Sequence, residues 1–117
     1  MDQLVTLFGN LIEMKDLDLN IIDNAAKVLV LCYTDTCNKC HFREWELSKL
    51  EDEITIPMWK YNAGNDAEFC KKYDLTEVPV LILLENWRIV KKLSEIQNNA
   101  YVLTYFELEK WQEPSKD

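Results

Sequence analysis

An uninterrupted apolar run, Val28-Leu29-Val30-Leu31-Cys32-Tyr33, stands out against the mixed pattern of the rest of the chain. It has no alternation and no charge, the mark of a strand buried on both faces at the centre of an α/β sheet. From Asn38 to about Glu53 the pattern turns helical. Phe42, Trp45 and Leu50 fall near one face and Arg43, Glu44 and Lys49 toward others, which predicts an amphipathic helix of about four turns. Ile54, Ile56 and Met58 then alternate with Thr55, Pro57 and Trp59, and the run continues to Tyr61. This reads as a second strand, with Pro57 at its start or at a non-bonded position because it lacks an amide donor. Ala63-Gly64-Asn65-Asp66 is a turn, and Asn65 with Glu68 resembles a cap for a short helix from Asp66 to about Tyr73. Val80 to Leu84 is a third strand, Glu85-Asn86 a tight turn and Trp87 to Leu93 a fourth strand, so the two form a hairpin. Ser94 with Gln97 offers a further helix start. Tyr101, Val102, Leu103, Tyr105, Phe106, Leu108 and Trp111 supply the apolar face of a closing helix that Pro114 ends.

Residues 1 to 27 carry two readings. Leu4, Leu7, Phe8, Leu11 and Ile12 have helical spacing, with Gly9-Asn10 as a break. In the competing reading Leu11-Ile12-Glu13-Met14 is a short strand, followed by a helix across Leu17, Leu19, Ile21 and Ile22 to Asn24. Some helix is expected here, and the strand stays open. From Val28 the order is β, α, β, α, β, β, α. A helix between the first two strands implies a parallel pair with a right-handed connection, and the hairpin implies an antiparallel pair. The expected fold class is therefore α/β, a central mixed sheet of four to five strands flanked by helices. No repeat, low-complexity segment or internal boundary interrupts it. Residues 1–117 read as one domain, with 1–10 an N-terminal extension or helix.

Composition narrows the function classes. The chain has 117 residues, 48% hydrophobic and 29% charged, a globular composition with a real but small core. Its net charge is −8 and its pI about 4.6. That argues against nucleic acid or an anionic membrane as partner. No stretch approaches the ~18 apolar residues of a membrane span. Met1-Asp2-Gln3-Leu4 lacks the basic start of a signal peptide, so a cytoplasmic location is expected. A monomer fits the size and charge. Four cysteines are few for a disulfide-built scaffold. In a reducing compartment a close pair reads as catalytic or metal-binding.

That pair is Cys37-Asn38-Lys39-Cys40, set between the apolar strand, the polar hinge Thr34-Asp35-Thr36 and the first helix. Unpaired N–H groups at a helix N-terminus favour an anion, and the charge of Lys39 adds to this, so Cys37 is the candidate thiolate nucleophile. Cys40, one turn in, is the candidate resolving thiol. Asp35 opposes the thiolate by like charge. With His41 the motif also matches C-x-x-C-H, but haem attachment requires export and a mostly helical fold, and neither is visible. A zinc site would draw on Cys37, Cys40 and His41 with Cys70 or Cys32. Adjacent Cys40 and His41 fit one tetrahedron poorly, and no second Cys-x-x-Cys exists. No metal and no bound cofactor are expected. Cys32 reads as a buried strand residue and Cys70 as a partly exposed thiol. His41 is a surface residue near the thiols that can tune them. The four tryptophans are spread as packing residues.

Taken together, these positions resemble the thioredoxin family over about residues 11 to 113. Cys37 to Cys40 fall where that family has its Cys-x-x-Cys. Val78-Pro79 fall where it has a cis-proline, and Lys60-Tyr61-Asn62 where a lysine at a strand end points toward the active site. The resemblance implies a thioredoxin fold and a thiol–disulfide oxidoreductase acting on protein disulfides. Its dithiol would be re-reduced by a reductase or another dithiol. It further implies that Thr36, Val78 and Pro79 line the substrate site, and that Asn38, Lys39, His41 and Lys60 tune the thiols. The chain departs from the family at several points. Thr36 replaces a Trp, Asn38-Lys39 replace Gly-Pro, and Leu31 stands where the family has a buried acid. Trp87 and Glu95 stand where it has glycines. These departures motivate two rivals: a non-catalytic thioredoxin-fold module that binds a protein partner, and a redox partner dedicated to one target.

Overall fold

Strand β2, Lys27–Tyr33, is the axis of a five-stranded sheet in the computed structural model, which describes residues 11–13, 27–64, 66–86, 88–96 and 98–110. The other elements are β1 (Ile12–Glu13), α1 (Asn38–Glu51), β3 (Met58–Asn62), α2 (Ala67–Lys72), β4 (Val80–Glu85), β5 (Arg88–Leu93) and α3 (Asn99–Tyr105). The spatial order is β1-β3-β2-β4-β5. β3 runs parallel to both β1 and β2, with Cys32 opposite Tyr61. β4 is antiparallel to β2 and to β5, with Cys32 opposite Val80.

The run without alternation in β2 is explained by cover on both sheet faces. Leu29 and Leu31 pack with Leu81 and Leu83 of β4, Leu47 and Leu50 of α1, and Val102 and Phe106 beyond. Val28, Val30 and Cys32 pack on the opposite face with Val80, Ile82, Leu84, Trp59 and Tyr73, against Phe69 and Cys70 of α2. Each fully buried Leu, Ile or Val side chain contributes about 1.5–3 kcal/mol relative to exposure.

Several expectations change in detail. The strand alternative for Leu11 to Met14 holds at Ile12–Glu13, while the helices expected over Leu4–Gly9 and Leu17–Asn24 lie outside the described residues. The second strand begins at Met58 and not at Ile54, which makes an isolated bridge to Lys110. Pro57 sits just before that strand and uses its carbonyl, accepting from Leu29 N at 3.0 Å. The cap of α2 is Asp66, whose carboxylate accepts from Phe69 N, and not Asn65. The closing helix starts after Asn98, whose side chain accepts from Tyr101 N, and not at Ser94. It ends at Tyr105, followed by Glu107 in the left-handed region at φ 54°. The tight turn of the β4–β5 hairpin places Asn86 at φ 53°. Trp87, Gln97 and Trp111 lie outside the described residues.

The largest change concerns α1. Its buried side chains are Cys40, Glu44, Leu47 and Leu50, at intervals of four, three and three. Phe42 is 53% exposed and Trp45 37%, whereas Glu44 is only 6% exposed. The face expected to be polar is thus turned inward at one position, because Glu44 finds charged and backbone partners there.

Candidate functional site

The hinge after β2 delivers Cys37 to the start of α1. Cys37 N donates to Thr34 O at 3.2 Å, closing the turn through Asp35 and Thr36. Cys37 is the N-cap: its Sγ accepts from Cys40 N at 3.0 Å. A sulfur in this place lies among the unpaired amides of the first turn, where negative charge is favoured. Cys37 and Cys40 form a disulfide with Cα atoms 5.2 Å apart. Cys40 is 1% exposed, whereas Cys37 is only half-buried. One thiol of the reduced pair is therefore open to a partner and the other is not.

On one side of the pair lies a cavity of about 590 Å³. Asn38, Lys39, Phe42 and Arg43 form its α1 wall. Glu77, Val78 and Pro79, with Ser94, Glu95 and Ile96, form the other. The Val78–Pro79 bond is cis. The structure thus gathers Asn38, Lys39, Val78 and Pro79 around one opening. Thr36, His41 and Lys60 do not line it. Thr36 is exposed in the hinge. His41 lies on the other side, its Nε2 3.1 Å from the Asp35 carbonyl oxygen and its ring 6.4 Å from that of Tyr33. Asn62 Nδ2 donates to Asp35 Oδ1 at 3.1 Å, tying the hinge to the end of β3.

Lys60 is not a solvated strand-end lysine. Its Nζ donates to Glu44 Oε2 at 2.8 Å, and it lies 5.4 Å from the centre of the Tyr33 ring. Glu44 Oε2 also accepts from Leu11 N at 2.9 Å. Next to this pair the Tyr33 hydroxyl donates to Glu13, and Glu13 Oε2 accepts from Asn62 N at 3.2 Å. Burial, the bond to Glu13 and the nearby carboxylates hold the Tyr33 phenol well above its ordinary range. Glu44 is the residue that sequence reasoning missed. Its one signal is position: it falls four residues after Cys40 and three before Leu47, on their inward stripe.

The other two cysteines are free. Cys32 is fully buried in β2, and burial, with Cys70 nearby, pushes its thiol up to about 12. Cys70 is half-buried and its Sγ lies 3.5 Å from Ala63 O. Among the described residues no group of three or more His, Cys, Asp or Glu is placed to hold a metal ion. No described helix is long and apolar enough to cross a membrane.

A mixed sheet of order β1-β3-β2-β4-β5, a Cys-x-x-Cys at the first turn of the helix after its central strand, and a cis-proline just before β4 define a thioredoxin-fold protein with a disulfide-capable pair. The Thioredoxin family model matches residues 11–107, and the chain belongs to that family. Solved thioredoxins share the fold. A mutant thioredoxin from Halobacterium salinarum aligns with TM-score 0.71 at 19% identity, covering 85% of this chain and 89% of its own. Thioredoxin f2 of Chlamydomonas reinhardtii aligns with TM-score 0.69 at 22% identity, covering 84% and 95%. Trxlp of Edwardsiella tarda aligns with TM-score 0.63 at 23% identity, covering 81% and 96%. No curated protein matches the chain in sequence.

Proposed function

We propose that this protein is a thiol–disulfide oxidoreductase that reduces or exchanges protein disulfides. The observation that carries the reading is the asymmetry of its pair: a half-buried sulfur capping a helix, joined to a buried one. Exchange needs an accessible thiolate and a second thiol to resolve the mixed disulfide. In the reduced protein the Cys37 thiolate attacks one sulfur of a substrate disulfide and expels the other as a thiolate. Cys40 then attacks Cys37 Sγ, forming the Cys37–Cys40 bond and releasing the second substrate thiolate. Two electrons pass from the dithiol to the substrate, and a reductase or another dithiol returns them. The groove beside Val78-Pro79 suits an extended peptide segment, whose contacts with Phe42 and the charged walls would hold it during attack.

The acidic chain supports a protein partner over nucleic acid or an anionic membrane. We place the protein in the cytoplasm, acting as a monomer with no bound cofactor. Exposed Thr36 in place of the family's Trp, with Lys39 and Arg43 on one wall of the groove and Glu77 and Glu95 on the other, favours a narrow set of targets as the second reading. Insulin-disulfide reduction with dithiothreitol as donor tests the enzyme. Activity that disappears in Cys37→Ser supports it, and an inactive intact protein overturns it. A dedicated redox partner instead retains one protein on a Cys40→Ser column as a mixed disulfide.

A further inference from the structure

The groove beside the cysteines carries opposite charges on its two walls. Lys39 and Arg43 belong to the α1 wall, Glu77 and Glu95 to the other. Lys39, Glu77 and Glu95 are exposed. Among the described residues none of these three side chains forms an ion pair or a hydrogen bond. Arg43 is already answered by Glu46 at 2.6 Å, so Lys39 sets the sign of its wall. The first-turn amides of α1 add to that sign. Exposed charges without partners contribute little to stability, so the fold does not account for them. Two of them also mark this chain off from its family. Lys39 stands where the thioredoxin pattern has proline and Glu95 where it has glycine. Both of these departures fall on one groove, on opposite walls, and each adds a charge where the pattern has none. Between the charges the groove offers apolar surface from Phe42, Val78, Pro79 and Ile96.

We propose that Lys39, Glu77 and Glu95 are specificity residues, and that the groove selects a protein segment with an acidic and a basic side chain side by side, in one order, next to the target cysteine. The inference rests on the exchange activity proposed above and names its substrate class. An extended segment turns successive side chains to opposite sides. Two adjacent residues therefore meet different walls, a carboxylate against Lys39 and a lysine or arginine against Glu77 and Glu95. Exchanging the two residues puts like charges together on both walls. The selection is by order and not by net charge, because a segment with one acid and one base is neutral either way. Steering by the chain's overall charge of −8 would instead favour any basic segment.

The test uses short peptides whose one cysteine is joined by a disulfide to thionitrobenzoate. Glu-Lys or Lys-Glu occupies the two positions before the cysteine in one set and the two after it in the other. The Cys37 thiolate attacks the peptide sulfur, the peptide–thionitrobenzoate bond breaks, and coloured thionitrobenzoate leaves as the better leaving group. Each rate is divided by that of dithiothreitol with the same peptide, which removes differences in peptide reactivity. In one set, one order should react about threefold to tenfold faster, as two exposed ion pairs allow. The difference should fade in about 1 M salt, where the screening length is about 3 Å. A variant combining Lys39→Glu, Glu77→Lys and Glu95→Lys should reverse the order. Lys39→Glu also disfavours the Cys37 thiolate, but that slows both peptides alike and leaves their ratio intact. The same peptides with serine for cysteine, titrated onto the oxidised protein and followed by the amide resonances of Lys39, Glu77 and Glu95, should bind with the same preference. Equal rates for the two orders in both sets, an unchanged preference in the variant, or a Lys-Lys peptide faster than either order overturns the inference. If no peptide reacts faster with the protein than with Cys37→Ser, the exchange reading fails instead, and the serine peptides still decide the groove.

Discussion

Two helices of this fold start on the same device made from different atoms. At α1 the capping group is Cys37 Sγ, accepting from Cys40 N at 3.0 Å. At α2 it is the Asp66 carboxylate, accepting from Phe69 N at 2.9 Å. Each cap has a second partner, Cys40 Sγ in one case and the Tyr61 hydroxyl in the other. The helix terminus favours an anion at both places. What differs is what that anion can do. A carboxylate bonded to a phenol only fastens the helix to β3. A sulfur three residues from a second, buried sulfur can exchange covalent bonds. Cys32, five residues before Cys37 and inside β2, marks the other limit: a thiol pushed up to about 12 has almost no thiolate at neutral pH.

Exchanging cap atoms breaks this comparison most sharply. Serine is a good N-cap, so Cys37→Ser should keep α1 and change the stability of the reduced protein by less than about 0.5 kcal/mol. Disulfide reduction should nonetheless fall to background in the insulin assay. Cys32→Ser should do the reverse. A hydroxyl in the fully buried centre of the sheet costs about 1–3 kcal/mol when unpaired, yet turnover in the folded protein should persist. Urea denaturation and insulin reduction on both variants separate the outcomes, and loss of turnover in folded Cys32→Ser would contradict the assignment of roles.

The two faces of α1 give the next largest effect. Leu47 is fully buried between helix and sheet, so Leu47→Ala should cost about 2–5 kcal/mol. Phe42 is half exposed beside the groove. Phe42→Ala should change stability by about 0.5 kcal/mol or less and raise KM for a protein disulfide. If denaturation ranked the two in the opposite order, the inward stripe assigned to α1 would be wrong.

That stripe is where the sequence was hardest to read. The central strand was legible because an all-apolar run has one meaning when helices cover both faces. The Cys-x-x-Cys was legible because its two thiols and the helix start lie within a few residues. The orientation of α1 was not. Phe42 and Trp45 look like core by type but border the groove and solvent. Glu44 looks like surface by type, but its partners Lys60 and Leu11 are 16 and 33 residues away. Pairing at that distance leaves no local trace. Cap positions failed for a smaller reason: Asn65 and Asp66, or Ser94 and Asn98, are all good caps. The choice at α2 falls to the residue that Tyr61 also reaches, and at α3 to where β5 ends and the chain turns. The pair as a whole was readable, whereas the acid beneath it became visible only once β3 was placed against α1.

The smallest effect concerns the cap of α2 and depends on pH. The bonds from Tyr61 and Phe69 N hold the Asp66 carboxyl below its ordinary range. A lowered folded value means the carboxylate stabilises the fold above its unfolded pKa and loses that contribution as pH falls through the folded value. The same bond, then burial, raises the Tyr61 phenol to about 12. A raised folded value means the phenol stabilises below its unfolded pKa and loses that contribution as pH climbs toward 12. Tyr61→Phe removes the shared hydroxyl. The stability difference between wild type and Tyr61→Phe should therefore be flat from about pH 5 to 9, since both groups then hold their paired states. It should narrow toward both extremes, in urea titrations at stepped pH. A difference that stays constant into acid would mean that Asp66 gains nothing from Tyr61 and that the cap rests on Phe69 N alone. The contrast with α1 would then be sharper still, because only the sulfur cap would depend on a second partner.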